Sequence, residues 1–139
     1  MFQGATALSL DATGRMVIPT RHRDALDQAA KGRLVLTAHP HRCLLLYPQP
    51  AWESIRGRIA ELSPQARRLL IGFAEELEID SAGRVLVPPA LRSHAGLEKD
   101  IWMIGQGNGF EVWSDAGWKR QQEEIFALGD KLLPPDLVL

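Results

Sequence analysis

A segment of twelve residues occurs twice in this chain of 139 residues, with a constant offset of 69. Residues 8–19 are LSLDATGRMVIP, and residues 77–88 are LEIDSAGRVLVP. In both copies apolar residues flank an Asp-x-x-Gly-Arg turn, and a proline and a further arginine follow. Because half of so short a chain is too small to bury a core alone, the duplication predicts two equivalent halves that share one core.

Each copy of the segment predicts two strands joined by a tight turn. The aspartate accepts hydrogen bonds from nearby backbone N–H groups, and the glycine adopts a positive φ. The apolar flanks then form a hairpin. The predicted strands cover residues 2–10, 15–18, 34–36, 43–47, 76–79, 84–87, 101–104 and 110–113. The predicted helices cover residues 20–30, 51–62, 64–73 and 90–95, with a last helix after Ser114.

The order of these elements predicts where the chain divides. Strand, turn, strand, helix and a second hairpin occur in the same order in both halves, and helices rather than a flexible Gly/Ser linker join them. Thr20, Ser63 and Ser114 are the predicted helix caps. The predicted divisions are a first repeat (1–50), a helical linker (51–74), a second repeat (75–120) and a C-terminal helix end and tail (121–139).

Composition narrows the class of protein. Apolar residues make up 45% of the chain and charged residues 24%, as in soluble globular proteins. No apolar run is long enough to span a bilayer, and the N-terminus does not resemble a secretory signal. Cys43 is the single cysteine, which excludes an intrachain disulfide and suits a reducing compartment. We therefore expect a cytoplasmic protein.

Charge is distributed unevenly between the halves. The formal net charge is −1, but residues 1–74 contain 10 Lys and Arg against 5 Asp and Glu, whereas residues 75–139 contain 6 against 12. An anionic partner would therefore be attracted to the first half or to a local group of arginines. Self-association between a basic and an acidic surface explains the same asymmetry equally well.

The arginines after the two turns are the main candidates for binding. One interpretation is an Asp–Arg ion pair on the surface, which would contribute little to stability. The repetition favours a second interpretation, because arginine donates in a rigid fork that fits a phosphate or a guanine edge. Pseudo-symmetric arginines suit a two-fold ligand such as duplex DNA. The paired arginines are Arg15, Arg23, Arg84 and Arg92.

Several segments, in the same order along the chain, resemble the MraZ family. They are the start MFQGA, the two Asp-x-x-Gly-Arg turns, and the run CLLLYP at residues 43–48. The segment ALRSHAGL at residues 90–97 and the pattern GQ-x-x-x-FEVW at residues 105–113 fit the family as well. The resemblance covers about residues 1–120.

The resemblance implies a fold and a function. The fold would be α+β and mostly β, with two AbrB-like (SpoVT-AbrB) repeats interleaved into a β-barrel of the double-psi or swapped-hairpin type. The protein would form ring-shaped homo-oligomers and bind tandem repeats in double-stranded DNA. It would regulate transcription, usually as the repressor of its own division and cell-wall gene cluster, and would be associated with the nucleoid. The resemblance implies neither an enzyme nor a cofactor.

The resemblance also assigns nine DNA-binding residues. Six lie within the two motifs: Asp11, Gly14, Arg15, Asp80, Gly83 and Arg84. Three are assigned by their position beside a motif: Arg21, Arg23 and Arg92.

Two other functions fit parts of the sequence. His39, His41 and Cys43 alternate as metal ligands sometimes do, which would suit a small metal-dependent hydrolase. The equivalent segment 106–109 has no such residues, so a polar hairpin tip is favoured. An antitoxin is the other alternative, since AbrB-like barrels also pair with toxins. We expect a long toxin-wrapping tail in that case, and only about ten residues follow Gly129.

Overall fold

The computed structural model describes residues 1–139, which form eight strands and five α-helices. The strands are β1 (Ala5–Ser9), β2 (Arg15–Val17), β3 (Arg33–Ala38), β4 (Leu44–Pro48), β5 (Glu75–Glu78), β6 (Arg84–Leu86), β7 (Asp100–Gly105) and β8 (Phe110–Ser114). The helices are α1 (Thr20–Ala30), α2 (Gln49–Ile59), α3 (Pro64–Leu70), α4 (Pro89–Ala95) and α5 (Asp115–Leu128), with a final 3₁₀ turn at Gly129–Leu132. The α+β class and the two repeated halves are confirmed.

Six of the strands form one antiparallel sheet in the order β1-β7-β8-β4-β3-β5. Exchanging each strand for its equivalent in the other half (β1 for β5, β3 for β7 and β4 for β8) gives the same order read from the opposite edge, so the sheet has a pseudo-two-fold axis. The axis passes between Leu45 of β4 and Glu111 of β8, which lie opposite each other. The hairpins β3–β4 and β7–β8 lie within one half each, as predicted.

The predicted hairpins around the two turns are wrong. Each turn is closed by one backbone hydrogen bond, from Asp11 N to Arg15 O (2.8 Å) and from Asp80 N to Arg84 O (2.9 Å), and the first also has an isolated bridge between Leu10 and Met16. No ladder joins β1 to β2 or β5 to β6. Instead, β1 pairs with β7 and β5 pairs with β3, so the first strand of each half pairs with the β-hairpin of the other half. The strands β2 and β6 pair with each other as a separate two-stranded ribbon. The halves are therefore interleaved.

The β-barrel of the double-psi or swapped-hairpin type that the resemblance implies is not formed, because the strands do not close. The sheet ends at β1 and β5, and the ribbon is not hydrogen-bonded to either edge as a continuous ladder. The ribbon strands have three residues each, and Pro19 and Pro88 follow soon after them. Proline has no N–H to donate, so the β2–β6 ladder cannot continue past these two prolines. Two bonds extend the ribbon instead, from Ile18 N to Gly83 O (2.8 Å) and from Val87 N to Gly14 O (2.8 Å).

Both halves contribute to one apolar core. Met16 and Val85 of the ribbon are fully buried against the sheet, as are Leu36 and Leu46 of its central region. Because the ribbon contains one strand from each half, separating the halves would expose this core to water. Burial of this shared apolar surface is the main term that holds the halves together.

The helices pack against the sheet, and α1 and α2 of the first half have their equivalents in α4 and α5 of the second, whereas α3 has none. Ser63 Oγ accepts from Ala66 N (3.2 Å) and Ser114 Oγ from Gly117 N (2.9 Å), so these two predicted caps are confirmed. The cap predicted at Thr20 is wrong, because Pro19 occupies the cap position and makes no side-chain hydrogen bond.

Membrane crossing would need a longer and more apolar helix than any of those formed here.

Candidate nucleic-acid interface

The ribbon formed by β2 and β6 has one buried and one outward face. Its register pairs Arg15 with Leu86, Met16 with Val85 and Val17 with Arg84. Side chains alternate along a strand, so the burial of Met16 and Val85 directs their neighbours away from the core. We call the resulting outward surface the ribbon face. It consists of Arg15, Val17, Arg84 and Leu86.

Both motif arginines therefore lie on one side of the molecule. Arg15 is half-buried and Arg84 is exposed. They occupy diagonal positions around the Met16–Val85 pair, related by the pseudo-two-fold axis of the ribbon. Neither guanidinium forms an ion pair, since the two salt bridges of the chain join Arg56 to Glu53 and Lys119 to Asp115. Two cationic groups are thus available to an anion on this face.

The motif aspartates hold the turns through the backbone. Asp11 Oδ1 accepts from the backbone N–H groups of Thr13 (2.9 Å) and Arg15 (2.9 Å), and from the Thr13 hydroxyl (2.6 Å). Asp80 Oδ1 accepts from Ala82 N (2.9 Å) and Arg84 N (2.8 Å). The surface Asp–Arg ion pair is therefore not formed, because each carboxylate binds the arginine's main chain and leaves its guanidinium free.

The Asp11 carboxyl is shifted by these bonds. The hydrogen bond from the Thr13 hydroxyl, followed by that from Arg15 N, holds its pKa below the usual value. The nearby Arg84 guanidinium adds a smaller contribution in the same direction. Asp11 is therefore ionised at neutral pH, and the turn keeps its geometry.

The motif glycines allow the two halves to interlock. Gly14 has φ +83° and Gly83 has φ +77°, a region that other residues rarely adopt. A Cβ on Gly14 would lie 2.7 Å from Arg92 Cζ, and one on Gly83 would overlap the guanidinium of Arg23. Each turn thus packs against an arginine from the opposite half.

The three remaining predicted arginines contact the protein rather than lying on the ribbon face. Arg23 is half-buried, and its Nε donates to Ile18 O (2.8 Å). Arg92 is half-buried beside Gly14, and its buried Nε has no hydrogen-bond partner. Arg21 donates from Nη2 to the Thr6 hydroxyl and from Nε to His22 Nε2 (3.2 Å). These contacts give Arg23 and Arg92 a direct part in positioning the turns.

Comparison with known proteins identifies the family of this chain. A model of the MraZ protein family, whose description likens it to antitoxins, matches residues 1–71 and again residues 69–130. The transcriptional regulator MraZ of Azoarcus sp. strain BH72 is 57% identical over an alignment of 143 positions, which covers 99% of this chain and 97% of that protein. The chain belongs to the MraZ family. Proteins of the same name from Dechloromonas aromatica strain RCB and Aromatoleum aromaticum are 54% and 58% identical, and their alignments cover 100% and 97% of this chain and 100% and 95% of those proteins.

The two MraZ matches coincide with the interleaved halves. The second begins at residue 69, before β5, and continues to residue 130, past the end of α5. The family likeness therefore extends beyond about residue 120, the end of the resemblance expected from the sequence motifs. The aromatic pairs Tyr47–Trp52 and Trp113–Trp118, with ring centroids 6.2 and 6.3 Å apart, carry the same symmetry into α2 and α5.

Two residues of the ribbon face were missed from the sequence. Val17 and Leu86 occupy the same position in the two copies of the motif, two residues after each arginine. The signal was present, because alternation along a strand directs residues i and i+2 to the same face. This alternation does not by itself say which face of the strand is buried. The pairing of β2 with β6 and the burial of Met16 and Val85 decide it.

The hairpin tip with two histidines does not assemble a metal site. His39 Nδ1 accepts from His41 N (3.0 Å), and no three His, Cys, Asp or Glu side chains lie close enough to hold an ion. Cys43 is buried behind this tip. Burial, with a smaller effect of the Glu111 carboxylate, raises the pKa of the Cys43 thiol from 9.0 to about 12. A neutral thiol is a poor metal ligand.

The buried thiol should be inert in the folded protein. With a pKa of about 12, its thiolate fraction at pH 8 is about a thousandfold smaller than that of an exposed cysteine. We expect Ellman's reagent to react with Cys43 only after unfolding in guanidinium chloride. Free cysteine at the same pH is the control for reagent activity. Rapid reaction in native buffer would show that the hairpin opens or that the thiol is ionised.

Proposed function

We propose that this MraZ-family protein is a sequence-specific, DNA-binding transcription regulator that contacts duplex DNA through the ribbon face. The observation that supports this most directly is the position of Arg15 and Arg84, unpaired and on one exposed side of the ribbon. A two-stranded β-ribbon fits the major groove of B-DNA, where arginine donates to guanine O6 and N7. The relatives' name, transcriptional regulator, agrees with this assignment.

In this proposal some residues contact DNA and the others position the elements that carry them. Arg15 and Arg84 contact phosphates or guanine edges. Asp11, Asp80, Gly14 and Gly83 hold the turns, while Arg23 and Arg92 hold each turn to the opposite half. Arg21 braces the N-terminal strand through Thr6. The mechanism uses binding geometry only, and needs no catalytic step or cofactor.

We also propose that binding depends on self-association. A net charge of −1 gives one subunit little general attraction for DNA. A homo-oligomer on tandem repeats makes each further contact effectively intramolecular, which raises avidity without new contacts. In this way the protein would occupy the promoter of its own division and cell-wall gene cluster and repress it, as a cytoplasmic, nucleoid-associated regulator.

A mobility-shift assay tests both parts of the proposal. The probe is the DNA upstream of the protein's own gene, compared with the same fragment in which all repeats but one are scrambled. We expect the protein to bind the intact probe at least about 100-fold more tightly than the probe with a single repeat. About 100-fold is the low end of the gain in avidity from multivalency. Native mass spectrometry of the same sample measures the number of subunits. A monomer that binds one repeat tightly, or equal binding to a fully scrambled fragment, would contradict the proposal.

A further inference from the structure

Two apolar side chains stand beside the arginines on the ribbon face. Val17 retains 37% of its accessible surface and Leu86 retains 39%. Single exposed apolar residues are common and need no explanation. These two, however, occupy equivalent positions of the two repeats and share one face with the cationic pair. On a strand face turned to water, polar residues are the usual choice.

The register places each apolar residue next to an arginine of the other strand. Leu86 lies directly opposite Arg15, and Val17 directly opposite Arg84. Opposed residues on one face have Cβ atoms about 4.5–5.5 Å apart, a distance between one and two of the roughly 3.4 Å rises that separate successive base pairs. An arginine that reaches one base pair therefore has an apolar neighbour within reach of the next.

The major groove presents one apolar group, the C5-methyl of thymine. We infer that Val17 and Leu86 contact thymine methyl groups in the major groove, so that the ribbon face selects thymine beside the base pairs contacted by the arginines. This inference rests on the proposed function and adds a source of sequence preference to it. The arginines alone would distinguish guanine, whereas the apolar pair would distinguish thymine from bases without a methyl group.

Uracil substitution isolates the methyl group, because uracil pairs like thymine but lacks it. The probe is the upstream DNA fragment, amplified once with thymidine and once with deoxyuridine triphosphate. We expect the unaltered protein to bind the uracil fragment about fourfold more weakly for each contacted thymine, the effect of one buried methyl group. The double variant Val17→Ala/Leu86→Ala should bind both fragments equally. Leu62→Ala is the matched control, because Leu62 is similarly exposed (46%) but is not part of the ribbon, and this variant should discriminate like the unaltered protein.

The outcomes separate this inference from the proposed function. Tight but equal binding of both fragments by the unaltered protein would overturn the inference and leave DNA binding intact. Failure to bind either fragment would overturn the proposed function as well. If native mass spectrometry shows that the double variant loses subunits while it still discriminates between the fragments, Val17 and Leu86 are subunit contacts and the inference is wrong. Thermal unfolding of each variant confirms that it is folded.

Discussion

Replacing Arg15 or Arg84 with alanine is expected to weaken binding to the promoter repeats by about 5- to 150-fold, the effect of losing one bidentate contact worth about 1–3 kcal/mol. Each replacement should also lower the slope of log K against log salt by about one, because one fewer counterion is released. Neither side chain makes an ion pair within the protein, so the fold should be retained. Mobility shift across a salt series measures both effects.

Two further variants show whether the effect belongs to the ribbon face. Arg68→Ala removes an exposed arginine from α3, which is not part of the ribbon face, and should leave affinity almost unchanged. Arg15→Lys keeps the charge but loses the planar fork, so we expect it to preserve the salt slope while losing preference for the promoter sequence. If Arg15→Ala and Arg84→Ala both bind like the parent, the two turns have only a structural role.

Gly83→Ala is expected to destabilise the protein by about 2–4 kcal/mol. A φ of +77° is strained for alanine and costs about 1–3 kcal/mol. The new Cβ would also displace the Arg23 guanidinium, whose Nε now donates to Ile18 O. A hydrogen bond from a charged group contributes about 1.5–3 kcal/mol, part of which would be lost. Urea unfolding at one fixed protein concentration measures the change in the free energy of unfolding.

Gly57→Ala is the matched control for this prediction. Gly57 lies inside α2 with an ordinary φ, and a Cβ added there would meet no other atom within 4 Å, so alanine should stabilise the helix by about 0.5–1 kcal/mol. The double variant Arg23→Ala/Gly83→Ala should lose less than the sum of the single changes, because the steric conflict is then removed. If the changes in the free energy of unfolding add strictly, Arg23 makes no steric conflict with a side chain at position 83. If Gly83→Ala leaves the stability unchanged, the turn tolerates a side chain.

The local parts of this architecture were predictable because short-range physics decides them. The β3–β4 and β7–β8 hairpins follow from apolar runs separated by a few polar residues, and they form as predicted. Ser63 and Ser114 cap their helices because a hydroxyl at that position reaches a free backbone N–H. Similarly, a glycine three residues after an aspartate predicts each turn, and both glycines adopt a positive φ in the fold.

The partners across the molecule were not predictable in the same way. Arg23 and Arg92 are predicted to bind DNA from their position beside a motif, which stays a prediction, and no local pattern indicates that they also pack against Gly83 and Gly14. Their contacts depend on strand exchange between the halves, which brings together residues about 60–80 positions apart in the chain. No local propensity distinguishes a partner in the same half from its copy in the other half.

The amino-acid sequence by itself determined that the protein has two equivalent halves, that each contains an Asp-x-x-Gly-Arg turn, and that an arginine leaves each turn. Only the tertiary structure decided that β2 and β6 pair with each other, and hence that Arg15 and Arg84 emerge on the same side. The reason is physical. Backbone hydrogen bonds within a turn depend on a few neighbouring residues, whereas the choice between two nearly identical strand partners depends on which pairing buries the shared core.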